Sequence, residues 1–230
     1  MGFTGEPAMR GHLVNKHAMF VTPPNLGHGR IVFRPGVVIG ISVNNGTSGV
    51  PMAVSIRINS HGQPGQYSLI NDIAPGPGET VADSVHAIAN AYTVARQVYE
   101  HRNVGGTFFA TKHIEIVFEP ADWPISGGSC SAAAAIALLS KAEKELVRVD
   151  TVVSGGMMPN GLIELVSGLA LKIEGSRQHR MRRILLPSAN FEEVAQLPPI
   201  VTNGIEIVFR ANIWQIMADM YLSMTHLPAV

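Results

Sequence analysis

The sequence predicts an α+β fold in which helices cover a β-sheet, and three features point there. Apolar, β-branched runs separated by turn residues fill the chain from Ile31 to Ile58. A two-faced helical pattern follows, and strands and helices then interleave through the second half. Taken in order, Ile31–Phe33, Gly36–Val43 and Met52–Ile58 are expected strands, with Asn44-Asn-Gly-Thr-Ser-Gly turning the chain between the last two. Pro75-Gly-Pro-Gly is a break. Beyond it Val81, Val85, Ile88, Tyr92, Ala95 and Tyr99 recur at alternating four- and three-residue spacing, which predicts a helix over 79–101 that needs a sheet to cover. His113–Glu119 alternates and is an expected strand. Ser126-Gly-Gly-Ser-Cys-Ser then leads into an alanine run, a strong helix former whose free N–H groups the preceding serines are placed to cap. Further strands are expected at Thr151–Val153, Leu162–Val166, Ile184–Pro187 and Ile205–Phe209, with helices from Ser167-Gly to about Gln178 and over Ile213–Leu222.

Composition sets the limits. Apolar residues make up 46% of the 230 and charged residues only 15%, far below the roughly 25% of an average soluble domain, so the chain buries a core and is neither disordered nor a coiled coil. Lys+Arg and Asp+Glu are 17 each, so no global field draws the protein to nucleic acid or an anionic membrane. No apolar run is long enough for a membrane span, and residues 1–20 carry polar groups where a signal peptide needs an apolar stretch, so a cytoplasmic protein is expected. The single Cys130 excludes an internal disulfide framework and a cysteine-based zinc site. Neither a cofactor nor a metal is expected. There is no phosphate-binding loop of the G-x-x-x-x-G-K-[ST] type. No linker divides the chain, so residues 1–30 are expected as an N-terminal arm and 31–230 as one domain.

The densest cluster of small residues holds the first chemical candidate. Ser129, flanked by glycines at a helix start, has little cover over its hydroxyl and lies near backbone N–H groups that can stabilise an oxyanion, with Gly127, Gly128 and Cys130 forming the turn. The same pattern also suits an ordinary helix N-cap. A nucleophile needs a base, and the chain has five lysines: Lys16, Lys112, Lys141, Lys144 and Lys172. Only Lys172 sits in an apolar helical segment, Leu169-Ala-Leu-Lys-Ile, where partial burial and the positive helix end both favour a neutral amine. A lysine snorkelling from the edge of a packed face is the alternative.

These segments resemble a known family. Trp123-Pro-Ile-Ser-Gly-Gly-Ser-Cys-Ser-Ala-Ala resembles the Asp-Gly-Pro-Ser-Ala-Gly stretch around the catalytic serine of Lon-type proteases, with Ser129 at the nucleophile position. Val166-Ser-Gly-Leu-Ala-Leu-Lys resembles that family's Ile-Gly-Gly-Leu-Lys-Glu-Lys, with Lys172 at the catalytic lysine. The two stand 43 positions apart, and alignment between the motifs needs no gap. Val153-Ser-Gly is similar to the family's Met-Thr-Gly and places Ser154 as the residue that orients the lysine. The likeness runs over about 30–225. It implies the fold of ribosomal protein S5 domain 2, helices on a mixed sheet. Departures are Gly128 and Cys130 for Pro and Ala, Ser131 for the following Gly, Ser126 for an acidic residue, and Gly156 for a Glu.

The resemblance implies an endopeptidase using a Ser129-Lys172 dyad on peptides or unfolded proteins, ATP-independent because no ATPase module is present, with a homo-oligomer, a hexamer in the family, as a possible assembly. Two other readings fit the same sequence: a catalytically silent Lon-fold assembly or recognition module, and a viral or phage polyprotein-processing protease. Cys130 as nucleophile and a Ser-His-Asp triad using His86 or His113 have no supporting context. Arg177, Arg180, Arg182 and Arg183 with His179 form the one basic cluster, which suits a solvated helix face more than nucleic acid, since no aromatics interleave.

Overall fold

A computed structural model describes residues 34–44, 46–74 and 80–224. The expected N-terminal arm, the strand at Ile31–Phe33 and the break at Pro75–Gly78 lie outside the described residues, as does Asn45 of the first turn. The chain forms, in order, β1 (Val37–Asn44), β2 (Ser48–Asn59), β3 (Tyr67–Leu69), α1 (Val81–Arg102), α2 (Phe108–Thr111), β4 (His113–Glu119), α3 (Ser131–Glu143), β5 (Thr151–Val153), β6 (Gly156–Met157) and β7 (Ile163–Glu164). It continues with α4 (Leu169–Gln178), β8 (Arg183–Pro187), α5 (Phe191–Ala195), α6 (Pro199–Thr202), β9 (Glu206–Arg210) and α7 (Ile213–Met220). The fold is α+β.

Seven strands form one mixed sheet in the order β3-β4-β2-β1-β5-β8-β9, while β6 and β7 make a separate small ribbon. β2 runs antiparallel to β1 and β4, whereas the pairs β3–β4, β1–β5, β5–β8 and β8–β9 are parallel. Strand periodicity divides the apolar side chains between two cores, because successive side chains leave a strand on opposite faces. On one face Val38, Val54, Ile56, Val153 and Leu185 pack with α1, α3 and α7. On the other Ile39, Ile41, Val152, Ile184 and Leu186 pack with Leu169 and Ile173 of α4. Central strands buried on both faces need near-continuous apolar sequence, which is why β1 and β5 are so rich in Val and Ile.

The helix starts follow local chemistry. α1 opens on a capping box: Thr80 Oγ1 accepts from the Asp83 N–H at 3.2 Å and the Thr80 N–H donates to the Asp83 carboxylate at 2.7 Å. α3 begins differently, and the expected serine cap is not made. Its N-cap is Cys130, with no side-chain capping bond. The tight turn before the helix already satisfies its first N–H groups from backbone: Ser131 N–H donates to Gly128 O at 2.9 Å, and Ala132 N–H to Gly155 O at 3.1 Å. The extended stretch expected over Leu162–Val166 narrows to Ile163–Glu164, and the last helix stops at Met220. The short β3, α2, β6, α5 and α6 were not foreseen; each is five residues or fewer, too short for periodicity to register.

Candidate functional site

The β1–β5 pairing runs only through Ile39↔Val152 and Gly40↔Val153. Past this point β5 ends at Val153 while β1 runs on to Asn44, and two helix starts come in against this last part of β1. Gly40 has no side chain where Cys130 Sγ and Ala133 Cβ of the α3 start come in; a Cβ there would sit 3.3 Å from the sulfur. At the other helix start, a Cβ on Gly168 would come 3.0 Å from Val43 Cγ2. α3 therefore approaches β1 from one face of the sheet and α4 from the other, so residues distant in sequence meet at the strand end.

The turn carrying Ser129 is fixed from four sides. Gly127 has φ +78°, a left-handed conformation that glycine adopts without strain, and its N–H donates to Ser84 Oγ on α1 at 2.9 Å. Ser84 is fully buried. Cys130 donates its thiol proton to Ile41 O on β1 at 3.2 Å. The Ser129 carbonyl accepts from Gly155 N–H at 2.7 Å and, weakly, from Ser154 Oγ at 3.4 Å. Ser131 Oγ donates to Gly128 O at 2.6 Å and accepts from Met157 N–H at 2.7 Å. Amid these fixed groups Ser129 is itself partly exposed.

Lys172 is the fourth residue of α4 and only 3% exposed. Its burial follows from how closely α4 lies on β2. A Cβ at Gly49 would be driven into the Leu171 carbonyl and to 2.9 Å from Lys172 Cα, and one at Gly175 into the Gly49 backbone. Only a pair of glycines permits that approach. Lys172 and Ser129 share a neighbour. Burial pushes the Cys130 thiol up from its ordinary range, while the charge of Lys172, the bond to the Ile41 carbonyl and the Ser129 side chain pull it back down. Ser129 and Lys172 both act on Cys130, and Ser154 is buried with its hydroxyl turned to the Ser129 carbonyl.

The other expected participants fall out differently. Gly127 has given its N–H to Ser84, so it is not aimed outwards. His113 stands at the far end of β4 from the chain leading to Ser129; its Nε2 pairs with Ser68 Oγ at 2.9 Å and its Nδ1 with Gln63 O at 3.1 Å. His86 is exposed on α1. With both ring nitrogens engaged at that end of β4, His113 is not placed to complete a triad with Ser129. In the basic cluster, Arg183 pairs with Glu206 at 2.9 Å and Arg177 approaches Glu174 at 4.0 Å, so two of its four arginines face carboxylates. Among the described residues no three His, Cys, Asp or Glu side chains gather to hold a metal, and no helix is long and apolar enough to cross a membrane. Sequence reasoning missed Ser84 and the bonding role of Ser131. Neither carries a signal in one dimension, since a serine in a helix gives no hint of which backbone group its hydroxyl will meet.

Residues 56–223 match the model of the Lon protease (S16) C-terminal proteolytic domain. A Lon protease of Methylocella silvestris is 25% identical over 195 residues, covering 85% of this chain and 23% of that protein. "Lon protease homolog 2, peroxisomal" of Oryza sativa subsp. indica is 27% identical over 107 residues, 46% of this chain and 12% of the relative. "Lon protease homolog 3, mitochondrial" of Arabidopsis thaliana is 27% identical over 119 residues, 52% of this chain and 13% of the relative. The chain therefore spans less than a quarter of the length of these relatives.

Proposed function

Given that this chain belongs to the Lon protease (S16) C-terminal proteolytic domain family, we propose that it is a serine endopeptidase in which Ser129 attacks peptide bonds and Lys172 is the base. The observation that supports this reading is the burial of Lys172, the one buried lysine among the described residues, in a protein whose Ser129 stays partly exposed. An amine enclosed this way loses hydration that favours its ammonium form, and a neutral amine accepts a hydroxyl proton.

In this mechanism Lys172 takes the Ser129 proton as the oxygen bonds to the peptide carbonyl carbon, and backbone N–H groups of the turn hold the oxyanion. Collapse breaks the C–N bond, with the proton passing from Lys172 to the leaving amine. The acyl-enzyme is hydrolysed by a water that the same amine deprotonates. Ser154, buried beside Ser129, is proposed to orient the lysine. Three finer features go with the reading: cleavage without ATP, assembly of copies into a homo-oligomer, and a cytoplasmic setting, although two of the relatives carry peroxisomal or mitochondrial in their names.

A fluorophosphonate probe tests the reading directly. Labelling at Ser129, lost in Ser129→Ala together with cleavage of an unfolded protein substrate, is the expected result. A folded protein that neither labels nor cleaves is a recognition or assembly module, and the peptidase reading ends.

A further inference from the structure

Residue 131 is a departure: the resemblance places glycine two positions after the nucleophile, and this chain has serine. The structure gives that hydroxyl a definite task. Ser131 is fully buried, and its Oγ donates to Gly128 O at 2.6 Å. Its own N–H donates to the same carbonyl at 2.9 Å. The oxygen is held in turn by the Met157 N–H at 2.7 Å, which ties it to β6. Its remaining polar approach, to Gly155 O, is long at 3.5 Å. With one proton to give, the hydroxyl spends it on Gly128.

Gly128 O belongs to the peptide that joins Gly128 to Ser129. In a planar trans peptide the C=O and the N–H point in opposite directions. A carbonyl pinned inwards on Ser131 therefore turns the Ser129 N–H the other way, away from β6. Two glycines precede Ser129, so the plane has unusual freedom to rotate, and a rotated plane would present a carbonyl oxygen where a substrate oxyanion needs a donor. Gly127 is anchored separately by Ser84, which leaves the Gly128–Ser129 plane as the element to be fixed.

We propose that Ser131 is a positioning residue that locks the Gly128–Ser129 peptide so that the Ser129 N–H is a preformed oxyanion donor. The inference rests on the peptidase reading of Ser129. It also replaces Gly127 by Ser129 itself as the donor on the nucleophile turn.

The test compares the parent protein with Ser131→Ala and Ser131→Gly, using a peptide substrate and a peptide boronate whose tetrahedral adduct places an oxygen in the oxyanion position. In both variants kcat is expected to fall about 10- to 100-fold, below the loss for deleting a donor outright, with KM within about threefold and boronate affinity falling in step with kcat. A kcat within twofold of the parent, or a slowed variant that binds the boronate as tightly as the parent, overturns the proposal. Should both variants fail to fold, NMR of the parent decides: boronate binding is expected to shift the Ser129 amide proton and leave the Gly128 carbonyl carbon in place. A large Gly128 carbonyl shift means that the plane rotates on binding and refutes the lock. A parent protein that neither cleaves peptide nor labels at Ser129 instead removes the peptidase reading, which separates the two failures.

Discussion

α3 and α4 both start at the end of β1, from opposite faces of the sheet, yet they are built on different principles. The first ten residues of α3, Ser131–Ser140, are all buried, and eight of them are Ala, Ile or Leu. Small side chains let this helix lie between α1 and the sheet in the larger core, and its place follows from composition alone. α4 is shorter and more polar, and among its buried residues are Lys172 and Ser176 beside Leu169 and Ile173. It reaches the sheet through Gly49 and Gly175, and the Ser176 hydroxyl donates back to the Lys172 carbonyl at 2.8 Å. One helix is held by apolar area. The other adds to its apolar contacts a close backbone approach, and that approach puts a lysine in the interior. The two helices thus differ in what seats them, and the proposed dyad draws one residue from each side of the sheet, Ser129 just before α3 and Lys172 on α4.

The largest test of this contrast is chemical. Lys172→Ala and Ser129→Ala are each expected to lower peptide cleavage by about 10⁴-fold or more while the circular dichroism spectrum stays that of the parent. The parent rate should rise from about pH 6 to about pH 9 as the amine loses its proton; a flat profile across that range would argue against a lysine base.

The next effect belongs to α3. Leu138→Ala removes a fully buried side chain from the larger core and should cost about 2–5 kcal/mol by urea denaturation, by lost transfer energy and the cavity left behind. Gly49→Ala probes the α4 side, where the added methyl meets the Leu171 carbonyl, and should cost about 1–3 kcal/mol. It should also lower the cleavage rate, because α4 moves and carries Lys172 with it. Leu138→Ala is expected to spare the rate of the molecules that remain folded. Equal effects of both substitutions on the rate would erase the contrast between the helices.

The smallest effect is a dependence of stability on pH. Burial raises the Cys130 thiol and the Tyr221 phenol above their ordinary ranges. In the alkaline range the unfolded chain releases these protons while the folded protein keeps them, so the unfolded state binds fewer protons and stability falls as pH rises. The contribution is intact below about pH 9 and declines above it. Urea midpoints at pH 7, 9 and 10.5 should show no loss over the first interval and a loss over the second, shallower in Cys130→Ala. Native Cys130 should also react slowly with a thiol reagent at pH 8 and quickly in urea.

Much of the molecule can be read in one dimension. The alternation of Ile114, Ile116 and Phe118 gives β4 its full length, the spacing from Val81 to Tyr99 gives α1 nearly its full length, and the alanine run gives α3. Periodicity is a local property, set by the geometry of one element, so sequence determines it. Sequence likewise singled out Ser129, since a serine between small residues before a strong helix former has a recognisable local form, and Lys172, as the one lysine in an apolar helical segment. The tertiary structure decided the rest. That α4 comes close enough to bury Lys172 depends on Gly49 and Gly175, 126 positions apart, facing each other. That Ser84 takes the Gly127 N–H, and Ser131 the Gly128 carbonyl, depends on which backbone groups lie within reach once α1 and β6 have packed against the turn. A hydroxyl or a glycine has no preferred partner until the fold supplies one, and hydrogen bonding and close contact act over a few ångströms of space whatever the distance along the chain.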